Sequence, residues 1–305
     1  VQQSNHYPTS CGMTACKHAV VNSDLDALAS LCCITELMHL PSYLARINLP
    51  SPPEPTLEGL KTLHRAHLLA VPFENLEVQL GRRVGTAIPP IFEKIVGRRR
   101  GGWCYEMNGV FGWALSELGF RVTRLAGGVM RAAAGDGQVG NHLVLRVDLD
   151  EGPVFADVGF GSGPLEPFAI AEGAFESHGF PYSLSRADGD WWRLTEHRGA
   201  APFSYDVRLE QADENLLAEK CAWLQEAEES PFVQNLIVMR HTQKGHSTLR
   251  GRVLKRVLPD AQTERVLESA DELVAVLKDE FGLDVPEAAG LWPRILARHE
   301  AVVNS

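Results

Sequence analysis

Apolar residues along the chain first follow a helical period and then an alternating one, and the change falls at Gly119. Just before it, Met107, Val110, Phe111, Ala114, Leu115 and Leu118 recur at three-four spacing, which predicts a helix with one apolar face, closed by Gly119. Upstream, residues 42–47 read as a short helix ended by Pro50-Ser51-Pro52-Pro53, and Thr56 starts a longer one carrying Leu60, Leu63 and Leu68. Residues 88–96 give another, entered through Pro89-Pro90, while residues 71–76 break the period. Together these elements predict a helical domain over residues 38–120.

After Gly119 the period is two. Leu143, Leu145, Val147 and Leu149 alternate with His142, Val144, Arg146 and Asp148, the pattern of a half-buried strand. Shorter runs at 121–125, 154–158, 182–184, 191–194 and 205–207 predict a small antiparallel barrel or sandwich over residues 121–215. Residues 216–305 mix the two periods: a helix over 215–227, strands over 236–242 and 248–257, and a final helix over 292–303. Ser269 with Glu272 forms a capping box ahead of a further amphipathic helix. Residues 1–37 hold no sustained period and read as a disordered leader or non-native extension, with Met38 close to the natural start.

Composition narrows the function class. The 305 residues carry a net charge of −10, which opposes nucleic acid or an anionic membrane as the main partner. No apolar run is long enough to span a bilayer and no secretory signal opens the chain, so a cytoplasmic protein is the default expectation. Cys11, Cys16, Cys32 and Cys33 crowd the beginning without a paired CxxC pattern, so neither a metal centre nor a disulfide framework is expected.

Candidate chemistry centres on Cys104, which follows Arg100-Gly101-Gly102-Trp103 and opens the predicted helix. There the unpaired N–H groups and the helix dipole favour a thiolate, and the glycines leave room for a substrate or cofactor to approach. If the chain reverses around residues 150–152, Asp157 comes opposite Val144 and shares a face with His142, one diagonal step away. An Asp on a face with Val144 and Phe155 is costly to bury unless paired, which favours a His142–Asp157 pair. A nucleophilic cysteine needs such an imidazole and such an orienting acid. The alternatives are a buried cysteine packed as a small hydrophobe and an Asp157 that merely forms a turn before Gly159.

The segment at 100–108, with Pro72-Phe73-Glu74-Asn75-Leu76 before it and His142-Leu143-Val144-Leu145 and Asp157-Val158-Gly159-Phe160-Gly161 after it, resembles the arylamine N-acetyltransferase family from about residue 38 to 300. The resemblance implies an α+β fold with an N-terminal helical bundle, a central antiparallel β-barrel and a C-terminal α/β lid (216–305), around a papain-like Cys-His-Asp core. It implies Cys104 as the acetylated nucleophile, His142 as its partner and Asp157 as the orienting carboxylate. Glu74 and Arg100 resemble a structural ion pair beside the site. Val129, Gly159 and Gly161 resemble residues bordering the cofactor cleft, and Phe160 one stacking on the substrate. The implied reaction takes acetyl from acetyl-CoA, by ping-pong chemistry, to arylamines, arylhydrazines or N-hydroxyarylamines, with no metal.

Acetyl-CoA is polyanionic, so an acidic protein needs a local basic patch. Arg240, Lys244, Arg250, Arg252, Lys255 and Arg256 lie in a span without Asp or Glu and are expected to hold the phosphates; charged strand edges are the alternative. Trp191, Trp192, Trp223 and Trp292 read as core, and Cys221 as an inert buried thiol. Two other reactions fit the same residues: an amide synthase acting on a carrier-bound acyl chain, and a papain- or transglutaminase-like amide hydrolase.

Overall fold

The structure, a computed structural model, describes residues 38–198 and 203–303; the expectation for residues 1–37 lies outside the described residues. The chain begins with α1 (Leu40–Arg46) and α2 (Leu57–Ala70), the latter capped by the Thr56 hydroxyl, which accepts from the Gly59 amide. Next come β1 (Phe73–Glu74), α3 (Leu76–Gln79), α4 (Ile88–Phe92) with a π-type turn over Glu93–Gly97, and α5 (Cys104–Glu117). Gly119 ends α5 at φ +86°, and the amides of Gly119 and Phe120 reach back to the carbonyls of Ser116 and Leu115. The expected single apolar face is exceeded: every residue from Cys104 to Gly112 is buried. A helix buried on all sides is a core element, and α5 is the element around which the helical part packs.

The alternating stretch forms β2 (Arg121–Val129), the one-turn helix α6 (Arg131–Ala134), β3 (His142–Leu149), β4 (Gly152–Phe155), β5 (Phe168–Ala169), β6 (Gly173–Ser177), β7 (Phe180–Arg186), β8 (Trp192–Glu196) and β9 (Phe203–Val207). They make one antiparallel sheet in the order β5-β4-β3-β2-β9-β8-β7-β6. Its two edge strands, β5 and β6, are joined by only Ile170, Ala171 and Glu172, and Phe168 stacks on Phe175 at 5.2 Å between ring centroids. Edges that meet force the sheet to curl, so this is an antiparallel half-barrel whose seam is packed by rings. Both faces of β3 are covered at its start. Leu143, Leu145 and Val147 join the cluster around α5, and Val144 joins the barrel interior with Leu125 and Phe155.

The last part consists of α7 (Glu214–Glu226), α8 (Pro231–Gln234), β10 (Ile237–His241), β11 (His246–Arg250), β12 (Val253–Val257), β13 (Gln262–Val266), α9 (Ala270–Asp279) and α10 (Trp292–Val303). The strand expected over 248–257 is in fact a hairpin that turns at Gly251, φ +57°. The second sheet runs β1-β10-β11-β12-β13 and so takes one strand from the segment expected only to interrupt the helices. Phe73 pairs with Met239 and Glu74 with Val238.

Candidate active site

Cys104 is the first residue of α5, and what sets its position lies just before it. The chain from Gly101 to Trp103 runs alongside β1: Gly102 N–H donates to the Pro72 carbonyl at 3.2 Å, and Glu74 N–H donates to the Gly102 carbonyl at 2.9 Å. A Cβ on Gly101 would sit 2.1 Å from the Pro72 oxygen, and one on Gly102 2.7 Å from the Glu106 Cβ. The two glycines are therefore required by packing against protein backbone and the Glu106 side chain. The expectation that they clear a path for substrate is corrected. Glu106 accepts from the Trp103 N–H at 3.2 Å and binds Lys94 Nζ through both oxygens, at 2.8 and 2.9 Å. Arg100 lies 2.9 Å from Glu74 and 2.9 Å from Glu77, so the expected Glu74–Arg100 pair forms, inside a larger buried ion cluster. Glu74 is held below the usual carboxylate range because Lys94, Arg100 and the Leu76 N–H outweigh its burial.

The hairpin register is the expected one. Arg146 pairs with Phe155, and the Ala156 N–H donates to the Leu145 carbonyl, which carries the register on to place Asp157 opposite Val144. His142 Nε2–H donates to Asp157 Oδ2 at 2.7 Å, both side chains being buried. The ring's remaining nitrogen is Nδ1, and His142 and Cys104 line the same cavity, near enough for the sulfur to act on the ring's charge. Burial alone would lower the His142 pKa; the Asp157 carboxylate and the Cys104 sulfur reverse this and raise it to about 10. Asp157 is held below the usual range, since His142, Asn108 and the Gly159 N–H outweigh its burial. The three candidate residues are thus brought together.

A fourth residue, unassigned in the sequence reading, fixes this arrangement. Asn108 lies one turn beyond Cys104 on the same side of α5. Its Nδ2 donates to Asp157 Oδ1 at 2.7 Å and to the Leu143 carbonyl at 2.6 Å, and its Oδ1 accepts from the Val158 N–H at 2.9 Å. The helix carrying the sulfur and the two strands carrying the acid and the imidazole are tied through one amide. The i,i+4 spacing from Cys104 was the available signal.

Cys104 and His142 open on a cavity of about 620 Å³. Val129, Gly159 and Phe160 line it, while Gly161 does not and turns at φ +69° with Met239 against it. Phe160 stacks on Phe203 at 5.2 Å and also packs against His142. Trp223 corrects the expectation of a core residue: it is 43% exposed and stands in the cavity wall with Phe232. Trp191 and Trp192 are buried, and burial pushes the Cys221 thiol up. Of the basic span, Arg250 borders this cavity. Arg240 is turned to the Leu69 carbonyl, Lys255 to Glu264 and Arg256 to Glu280, so acids from elsewhere in the fold neutralise part of a span that holds none itself. Among the described residues, no helix is long and apolar enough to cross a membrane, and no cluster of three or more His, Cys, Asp or Glu could hold a metal ion.

Comparison with known proteins defines the class first. Residues 56–289 match the family described as N-acetyltransferase, so the chain is an enzyme of the acyltransferase type. The chain is 35% identical to the arylamine N-acetyltransferase of Mycolicibacterium smegmatis over 261 residues, 83% of this chain and 94% of that protein. It is 32% identical to the arylamine N-acetyltransferase / N-hydroxyarylamine O-acetyltransferase of Salmonella typhimurium, over 83% of this chain and 90% of that one. The Mycobacterium marinum arylamine N-acetyltransferase, solved in complex with CoA, superposes with a TM-score of 0.77 at 32% identity, covering 85% of this chain and 98% of that one. The chain belongs to the arylamine N-acetyltransferase family.

Proposed function

We propose that the protein transfers an acetyl group from acetyl-CoA to an aromatic amine, arylhydrazine or N-hydroxyarylamine through an acetyl thioester on Cys104, with His142 and Asp157 completing a papain-like core. One observation carries this reading: a cysteine at the first turn of a buried helix, sharing its cavity with an imidazole that donates to Asp157 at 2.7 Å, faces an aromatic-walled space of about 620 Å³. That volume lies within the ordinary range of small-molecule sites.

In the first half-reaction the Cys104 thiolate attacks the thioester carbonyl. The unused N–H groups of the α5 first turn offer donors to the developing oxyanion. The bond from carbonyl carbon to CoA sulfur breaks as the bond to Cys104 sulfur holds, and the departing thiolate takes the proton from His142. In the second, the amine nitrogen attacks the acetyl-Cys104 carbonyl and His142 receives the nitrogen's proton. The carbon–sulfur bond to Cys104 then breaks, releasing the amide. Asp157, kept ionised, holds the ring in place and stabilises its charged form through both halves. Phe160, Phe203 and Trp223 suit a flat aryl acceptor, which is uncharged at neutral pH and keeps its lone pair free.

Because CoA leaves before the acceptor enters, initial rates at several fixed acceptor concentrations should give parallel double-reciprocal lines. Lines that intersect would indicate direct transfer in a ternary complex and overturn the covalent route.

A further inference from the structure

Phe160 walls the Cys104 cavity, packs on His142 and Tyr205 and stacks on Phe203, so the place of its ring shapes the space open to an aryl acceptor. That place depends on the residues that follow. The Ser162 N–H donates to the Phe160 carbonyl at 2.7 Å, across Gly161 at φ +69°. A bond that spans one positive-φ residue is the rare, strained hand of the γ-turn. Such a conformation persists only where its surroundings hold it. On one side Met239 of β10 closes the space beside Gly161, where an added Cβ would strike its methyl group.

The other side holds Ser162. Its hydroxyl donates to Glu196 Oε2 at 2.7 Å, and its carbonyl accepts from the Tyr182 hydroxyl at 2.7 Å and from Arg198 Nη2. Tyr182 on β7 and Glu196 on β8 are opposed across the sheet, and both are buried. Arg198 ties the group together. Its Nε lies 2.6 Å from Glu196 Oε1, its Nη2 also donates to the Tyr182 oxygen at 3.1 Å, and its guanidinium lies over the Phe180 ring at 4.1 Å. A further donor leaves the half-barrel: Nη1 donates at 3.0 Å to Nδ1 of His246 on β11. That bond requires an unprotonated Nδ1. Burial, and after it the charges of Arg198 and His178, hold the His246 pKa down to about 3, so the lone pair is kept. One guanidinium thus links the half-barrel, the loop after β4 and the second sheet. None of Ser162, Tyr182, Glu196 and Arg198 lines the Cys104 cavity, so the group reaches an acceptor only through the loop.

We propose that Arg198 is a positioning residue for the acceptor half of the reaction: with Glu196 and Tyr182 it clamps Ser162, and through the turn at Gly161 it fixes the Phe160 ring against which an aromatic amine stacks. This rests on the reading of Cys104 as the acetylated group. A nucleophile without a ring is indifferent to where Phe160 stands, which separates the clamp from general damage to the site.

The test begins with the full chain acetylated on Cys104 by acetyl-CoA. Discharge of the adduct is then followed by intact mass with aniline and with hydrazine, which has no ring, each variant being compared with wild type for the same acceptor. In Arg198→Met, discharge by aniline should slow about three- to tenfold, the factor one aromatic contact is worth, and chiefly through weaker binding of the amine. Discharge by hydrazine should change less than about twofold, on the same scale. Tyr182→Phe and Ser162→Ala each remove one bond of the clamp and should show the same preference in smaller measure. Arg198→Lys keeps a charge beside Glu196 and should recover part of the loss. Equal losses with both acceptors across these variants, or discharge by aniline unchanged in all of them, would overturn the clamp. A wild-type protein that takes no acetyl group from acetyl-CoA would instead remove the reading of Cys104, and the clamp with it.

Discussion

At the scale of single residues, the site is a set of buried polar groups that satisfy one another. Asp157 accepts from His142, Asn108 and the Gly159 N–H, at 2.7, 2.7 and 2.9 Å. A buried carboxylate with fewer partners would protonate. The signs follow. His142 has a raised folded-state pKa, so its stabilisation is complete below its unfolded value of about 6.5. It is lost as the pH rises through about 10. Asp157 has a lowered one, so its contribution is present above its unfolded value of about 3.9 and lost as the pH falls through the folded value. Asp157→Asn removes the charge that raises His142, so the alkaline limb of Cys104 acylation should move to lower pH; a limb that stays in place contradicts the pairing. Asn108→Ala strands the Val158 N–H and the Leu143 carbonyl, and should cost about 2–4 kcal/mol in urea unfolding while slowing acylation. A loss under about 0.5 kcal/mol would make Asn108 an ordinary surface-like position. Asn108 escaped the sequence reading because its role depends on which strands pass α5, a long-range fact. The His142–Asp157 pair was legible because a hairpin register can be counted from its turn.

At the scale of elements, the glycine loop after β4 is shaped by α5. Gly159 keeps an ordinary backbone, but a Cβ there would lie 2.6 Å from Asn108 Nδ2 and 2.7 Å from Cys104 Cα. Gly159→Ala must therefore push the loop off the helix start. Since misplacing reacting groups by about 1 Å can cost about 10²-fold, single-turnover acylation should slow by that order; a rate within a factor of about two would show that the loop is not seated on Cys104. Long strands with clean alternation, such as β3, could be read from the sequence. Strand β13 could not, because all five of its residues are exposed and carry no alternation. Strand β1 could not either, because two residues hold no period and its partner, β10, lies more than 160 positions along the chain.

At the scale of the whole molecule, the described residues pack as one compact unit, and the candidate site sits where its parts converge. The sulfur comes from the central helix, the imidazole and acid from the half-barrel, and part of the cavity wall from the sheet that borrows β1. The helical and barrel segments were legible from the change of period at Gly119. The shared second sheet was not, since it joins segments from both ends of the described chain. This convergence also explains why Trp223, on a helix far along the chain, stands in the wall of the Cys104 cavity and not in a core. The central claim is that the acetyl group rests on one sulfur, and intact-mass measurement after mixing with acetyl-CoA alone tests it most directly. We predict a gain of one acetyl group, absent in Cys104→Ala and discharged by an aromatic amine. Product formed from acetyl-CoA and amine with no such adduct, or an equal adduct on Cys104→Ala, would contradict it.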